Sequence, residues 1–283
     1  MTELLEALLD PDFPFLRYAL LAGVLASIPL GVVGSYVVTR RITYIAGAIS
    51  HCVFGGIGAA LYLQEVAGFR WCHPMLGAVA AALIAALTIG LVSLSARQRE
   101  DTVIGAIWAV GMAIGLIFFA KIPVNVDPMS YLFGTIVLVS AQDLRLVAGL
   151  GVLVVILAAM FHNKFVAVCF DEEFARLRGV RVKSYYLLLL CLTALTVVLL
   201  VRVVGIVLVI ALLTLPAAVA GHFSRRLWQM MLGAILLGAV FVAFGLGASY
   251  LSDLPSGPTI IILAGVVYLA VAVATRFRRP NVA

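Results

Sequence analysis

The chain has 283 residues, 64% of them hydrophobic and only 11% charged, with a formal net charge of +6 and a mean hydropathy of +1.19. A soluble domain is about one quarter charged, and no soluble core of this length could hide so much apolar surface. A soluble enzyme is therefore excluded, and the positive charge, gathered in short loops, reads as membrane orientation rather than nucleic-acid binding.

The N-terminal segment 1–17 is acidic, with Glu3, Glu6, Asp10 and Asp12. A secretory signal begins basic and ends at a small-residue cleavage site, so the first apolar stretch is expected to be a retained helix. Apolar stretches with few or no charges then recur at close to the ~20 residues that a bilayer-spanning helix needs. They are continuously apolar rather than alternating, which predicts helices and not barrel strands. The expected spans are 16–38, 45–63, 74–95, 103–120, 144–162, 184–203, 205–221, 227–250 and 258–276. The fold class is thus all-α: one polytopic transmembrane domain over 1–283 with about nine spanning helices.

In the second span, Gly47, His51, Gly55 and Gly58 share one helical face. Small residues there permit close helix approach, which turns the histidine toward the protein interior. An ionisable group at this depth is a site candidate, because its burial in lipid is costly. A neutral imidazole suits zinc, copper, nickel or iron; the alternative is a histidine hydrogen-bonded to a neighbouring helix. Cys72 and His73, beside Pro74, read as an interfacial pair. Cys52, Cys72, Cys169 and Cys191 show no paired spacing, which argues against a disulfide framework or a zinc ribbon.

Asp127, before Pro128, and Asp253, opening the turn Asp253–Pro258, are acceptors expected at the outer face and candidates for the translocation pathway or outer gate, with helix capping as their first duty. The apolar segment 129–140 is too short to cross. The loop 162–183 is the one sizeable polar segment, and 170–180 within it reads as a short amphipathic helix: Phe170, Phe174 and Leu177 fall on one face, acids precede bases, and Gly179 supplies a stop. Such a helix either lies on lipid or docks a cytoplasmic partner. The run from Tyr185 to Gly221 holds two spans with Arg202 and Gly205 at the turn, and Pro216 is expected to break the second. His162 and His222 read as polar caps at the inner boundary.

With 129–140 not crossing, 14 of the 19 Lys and Arg fall on one side. The positive-inside rule then places the N-terminus outside and the C-terminus in the cytoplasm, leaving 129–140 re-entrant or at the outer surface. There is no phosphate-binding loop, nucleophile elbow or His-Glu-x-x-His pattern. Energy for active transport must come from another chain or a gradient, and the absence of Asp and Glu from the spans argues against a proton relay.

Five segments together carry a family resemblance: Arg40-Arg41-Ile-Thr-Tyr-Ile-Ala-Gly-Ala-Ile-Ser-His51, Asp127 to Gly134, Phe170 to Val180, Val204 to Ala218, and Asp253 to Pro258. In order and spacing they resemble the metal-ion permeases of ABC-type importers, which take up zinc, manganese or iron. The resemblance implies a permease homodimer in the bacterial plasma membrane, bound to cytoplasmic ATPase subunits and fed by an external metal-binding protein. It implies that hydrolysis occurs on the partner, that no cofactor is permanently bound, and that the ion is cargo. It also makes the 170–180 helix, with Phe170, Glu173, Phe174, Arg178 and Gly179, the coupling helix that docks on the ATPase. One position departs from the pattern: the family's aspartate four residues before the histidine is Gly47 here. A lone imidazole without an anionic partner shifts the expected cargo toward zinc over manganese. The competing expectations are a permease for a chelated metal or vitamin, and a gradient-driven carrier or channel.

Overall fold

The bilayer core offers no water to backbone groups, so a spanning chain must satisfy them within its own segments. The computed structural model meets that demand with helices alone among the described residues, which are 14–69, 71–95, 100–123, 127–134 and 139–278. The acidic residues of 1–13, Arg70, the Arg97/Arg99 loop, residues 135–138 of the short apolar segment and Arg279 lie outside them.

Twelve helices follow in order among the described residues: α1 Pro14–Thr39, α2 Thr43–Glu65, α3 Pro74–Ser95, α4 Glu100–Ala120, α5 Pro128–Phe133, α6 Ala141–Met160, α7 His162–Phe170, α8 Glu172–Leu177, α9 Val182–Val204, α10 Ile206–Phe223, α11 Leu227–Ser252 and α12 Ser256–Arg278. Nine of them, all but α5, α7 and α8, are long and apolar enough to cross a membrane. They coincide with the nine expected spans and mostly run a few residues further, because polar caps lie outside the apolar runs. The Ser140 and Asp143 side chains each accept from the other's backbone N–H at 3.2 Å and start α6. Arg41, at φ 62°, ends α1 in the left-handed region, and the Ile42 N–H returns to the Val37 carbonyl at 3.0 Å. α5 has six residues, about 9 Å at 1.5 Å per residue, and cannot cross.

α1, α2, α9 and α10 are the most enclosed spans, whereas α4, α6 and α12 turn most of their surface outward. α2 lies against α3 and α4, α1 lies against α6, α10 and α11, and α9 touches both groups. Lipid tails are as apolar as leucine, so helix association rests on close packing. Glycine provides it: a Cβ on Gly55 would come within 2.6 Å of the Gly111 carbonyl oxygen, and one on Gly58 within 3.0 Å of the Gly115 oxygen. One buried cluster runs from Leu16 to Ala264.

Contacts at the two ends follow the alternation of nine crossings. At one end the α1–α2 turn meets α7 and α8, where Arg40 pairs with Glu172 and the Tyr36 hydroxyl meets His162. At the other, Gly134 after α5 lies against the Val204–Gly205 backbone, and a Cβ on Gly257 at the start of α12 would be 2.5 Å from the Phe133 oxygen.

Two expectations are corrected. The chain does not break at Pro216, which sits inside a continuous α10. The ring removes only the amide partner of the Leu212 carbonyl, and packing on α1 and α11 holds the helix through that loss. The interruption lies at the expected turn, Gly205, whose φ of 85° and ψ of 158° end α9 and start α10. The amphipathic helix expected at 170–180 is two elements. Asp171 is extended (φ −153°, ψ 99°) and accepts from the Phe174 N–H at 2.9 Å, so Phe170 closes α7 while Glu173 and Phe174 lie in α8.

Candidate functional site

Among the described residues, six of the seven buried polar side chains are hydroxyls, on Ser27, Ser35, Ser50, Thr193, Thr196 and Ser249; the seventh is His51. Each hydroxyl donates to a nearby backbone carbonyl, at distances from 2.5 to 2.9 Å. Such back-bonding makes a hydroxyl cheap to bury. His51 differs. It is 8% exposed, and its Nδ1 is, with Gln64 Oε1, one of two buried side-chain polar atoms among the described residues with no hydrogen-bond partner. An orphaned polar atom costs about 1–3 kcal/mol, and of the two only His51 carries a nitrogen able to ligate a metal.

The glycine face expected on α2 lies against α4 throughout. Gly47 and His51 meet Trp108, Gly55 meets Gly111, and Gly58 meets Gly115. The indole of Trp108 stacks on the His51 imidazole, with ring centroids 4.7 Å apart and planes inclined by 24°. The same indole fills the volume beside Gly47: a Cβ there would lie 2.7 Å from Trp108 Cη2. The missing carboxylate thus has no vacant space to return to, since α4 fills it with an aromatic ring. Beneath Trp108 a half-open cavity of about 480 Å³ is lined by Tyr44, Ile104, Gly105 and Trp108. It adjoins the first turns of α2 and α4, at the membrane face that holds the α1–α2 turn. Among the described residues no three His, Cys, Asp or Glu side chains gather as a ready metal cage.

The other singled-out residues make contacts of their own. Asp127 accepts from the Met129 N–H at 3.0 Å and caps α5. Asp253 takes the left-handed position that ends α11, at φ 51°, and its place in the sequence is a stop rather than an N-terminal cap. His73 Nδ1 accepts from the Met75 N–H at 3.2 Å at the start of α3. Cys52 donates weakly to the Ile107 carbonyl at 3.5 Å.

At the α7–α8 end, Phe170, Phe174 and Leu177 are all exposed, Leu177 by 87%. Three large apolar side chains on a polar connector form a surface that invites a partner. Gly179, at φ 75°, allows the sharp exit from α8, and Arg178 lies over the Phe174 ring at 5.0 Å. Sequence reading selects Glu173 on this helix, but the residue that ties it to the spans is Glu172, which pairs with Arg40 and, at 3.7 Å, with Arg176. Arg40 also lies 5.6 Å over the Tyr186 ring of α9. Tyr36 Oη and His162 Nδ1 are 2.6 Å apart. Periodicity gives no hint of these cross-links. The Trp108 partnership left a trace, since Gly111 and Gly115 on α4 repeat at four residues and mirror the glycines of α2.

The sequence matches the ABC 3 transport family over residues 12–275. A Chlamydia trachomatis protein named "Probable metal transport system membrane protein" is 41% identical over 90% of this chain and 87% of its own length. The "Manganese transport system membrane protein MntC" of Listeria monocytogenes is 32% identical, covering 93% of this chain and 91% of that protein. Among solved structures, "PsaBC from Streptococcus pneumoniae in complex with Fab" superposes with a TM-score of 0.83 at 28% identity, over 95% of this chain and 94% of that one. The nine-span bundle, its five motif segments and this match over nearly the whole length agree: the chain is a multi-pass membrane protein that belongs to the ABC 3 transport family.

Proposed function

We propose that the chain is the permease subunit of an ATP-driven importer for a divalent transition-metal ion. The observation that carries the reading is the buried, unpartnered Nδ1 of His51 on the enclosed α2. A neutral imidazole is a ligand for borderline metals, and a single one releases its ion readily, as conduction requires. Two of the relatives, from Listeria monocytogenes and Streptococcus parasanguinis, are named as manganese systems, whereas an imidazole without a carboxylate suits zinc better. Zinc and manganese are accordingly the leading cargoes, with iron(II) third, and no resident cofactor is needed.

In this reading 1–283 works as one transmembrane unit in a bacterial plasma membrane, N-terminus outside and C-terminus in the cytoplasm, paired with a second copy. The exposed Phe170, Phe174 and Leu177 dock a cytoplasmic ATPase, and an external metal-binding protein delivers the ion near the end that carries Asp127 and Asp253. Reconstitution tests it. Proteoliposomes holding the chain with its ATPase and binding protein should accumulate metal only with ATP, and those holding the chain alone should not. Metal flux through the chain alone would replace the proposal with a gradient-driven carrier or channel.

A further inference from the structure

The geometry points to Trp108 as the inner gate of the pathway, a movable indole that covers His51 from the cytoplasmic side; this rests on the reading of His51 given above. Four observations carry it. The indole stacks on the imidazole at 4.7 Å, so one ring face of His51 is covered by protein rather than water. The same ring lies against Gly47 and fills the space that a side chain there would take. On its other side lies the cavity of about 480 Å³ bounded by Tyr44, Ile104 and Gly105, roomy enough to receive a displaced indole. Gly105, one turn before Trp108, has no heavy atom within 4 Å of where its Cβ would stand, so nothing there blocks the swing. A ring closed over the imidazole holds the ion away from the cytoplasm; a ring swung into the cavity opens a route from His51 to the inner face. An indole face also attracts a cation, which offers the ion a transient second contact as it leaves.

The gate also governs which ligands position 47 can carry. With Trp108 closed, any side chain at 47 collides with the indole. Gly47 and Trp108 are therefore one unit, and an aspartate is accommodated at 47 only with the indole swung away or removed.

Two measurements on the full chain in lipid nanodiscs test the gate. In a background with Cys52, Cys72, Cys169 and Cys191 replaced by alanine, His51→Cys reports access to the site. A water-soluble thiol reagent should label it at least about tenfold faster after Trp108→Ala, and the smaller but still apolar Trp108→Leu serves if the alanine variant folds poorly. Equal labelling rates with and without the indole would overturn the proposal. In the Trp71→Phe/Trp228→Phe chain, Trp108 is the sole tryptophan. Its emission should change on addition of zinc or manganese, and this change should vanish in His51→Ala; an emission indifferent to His51 would also overturn the gate. Neither readout depends on uptake. A His51→Ala chain that transports normally would thus end the pathway reading while leaving the question of cover at position 51 decided by labelling.

Discussion

Arg40 ties the α1–α2 turn to α8 and α9 at once, and its removal tests whether the α7–α8 connector is linked to the spans through this one side chain. Its guanidinium pairs with Glu172 and lies over the Tyr186 ring. Both partners of the ion pair are 26% exposed, so the pair is screened less than a fully wet one and more than a buried one. A charge-assisted hydrogen bond contributes about 1.5–3 kcal/mol, and an exposed ion pair about 0–1 kcal/mol. The intermediate burial places this pair near ~1.5 kcal/mol, with about 0.5–1 kcal/mol more from the ring contact. Arg40→Ala should therefore cost about 2–2.5 kcal/mol, and the Arg40→Ala/Glu172→Ala cycle should show roughly 1–1.5 kcal/mol of coupling. At about 2–4 °C per kcal/mol for chains of this size, the single variant should melt roughly 4–10 °C lower. The functional consequence is separable from stability. If α8 moves the α2 helix through Arg40, metal transported per ATP hydrolysed should fall in the single variants. It should recover only in part in the charge-swapped Arg40→Glu/Glu172→Arg chain, because the guanidinium then at 172 faces Arg176 and the contact over Tyr186 is lost. Additive stabilities in the cycle, or an unchanged transport-to-hydrolysis ratio, would refute the linkage.

Further consequences are equally specific. Gly205→Ala combines a strained positive φ with a collision against the Phe133–Gly134 backbone, so a loss of about 2–5 kcal/mol is expected in thermal melts. Leu177→Asp and Phe174→Asp alter exposed residues; the chain should fold normally, and co-purification with the ATPase should drop by roughly tenfold or more, the equivalent of about 1.4 kcal/mol. Burial pushes the Cys169 thiol up to about 12, with the Arg40 cation opposing the shift. A pKa raised that far keeps the thiol protonated throughout the physiological range, so Cys169 should resist maleimide at about pH 7–8 and label only after unfolding.

The spans were legible because hydrophobicity and charge act locally: a bilayer rewards any run of about 20 apolar residues, whatever its neighbours. The glycine face of α2 was legible for the same reason, since Gly47, His51, Gly55 and Gly58 lie on one strip whatever they touch. What α2 touches was not. Trp108 sits 57 positions after His51, and only helix packing brings its ring over the imidazole. Glu172 escaped notice because an ion pair to Arg40 depends on how α7 and α8 fold back, and the family resemblance pointed to the neighbouring Glu173. Pro216 misled in the opposite direction. A single proline weakens one turn, and a helix enclosed on several sides continues through it, whereas Gly205 with its positive φ ends a helix where two backbones must meet.

The central claim is that His51 lines the path of a transition-metal ion, and uptake by the reconstituted complex tests it directly. ATP-dependent accumulation of radiolabelled zinc, manganese and iron should be compared between the native chain and His51→Ala. The account predicts that ATP hydrolysis and assembly persist while uptake of the transported metal falls at least about tenfold, the equivalent of about 1.4 kcal/mol in the barrier. Unchanged uptake of all three metals by His51→Ala would contradict it.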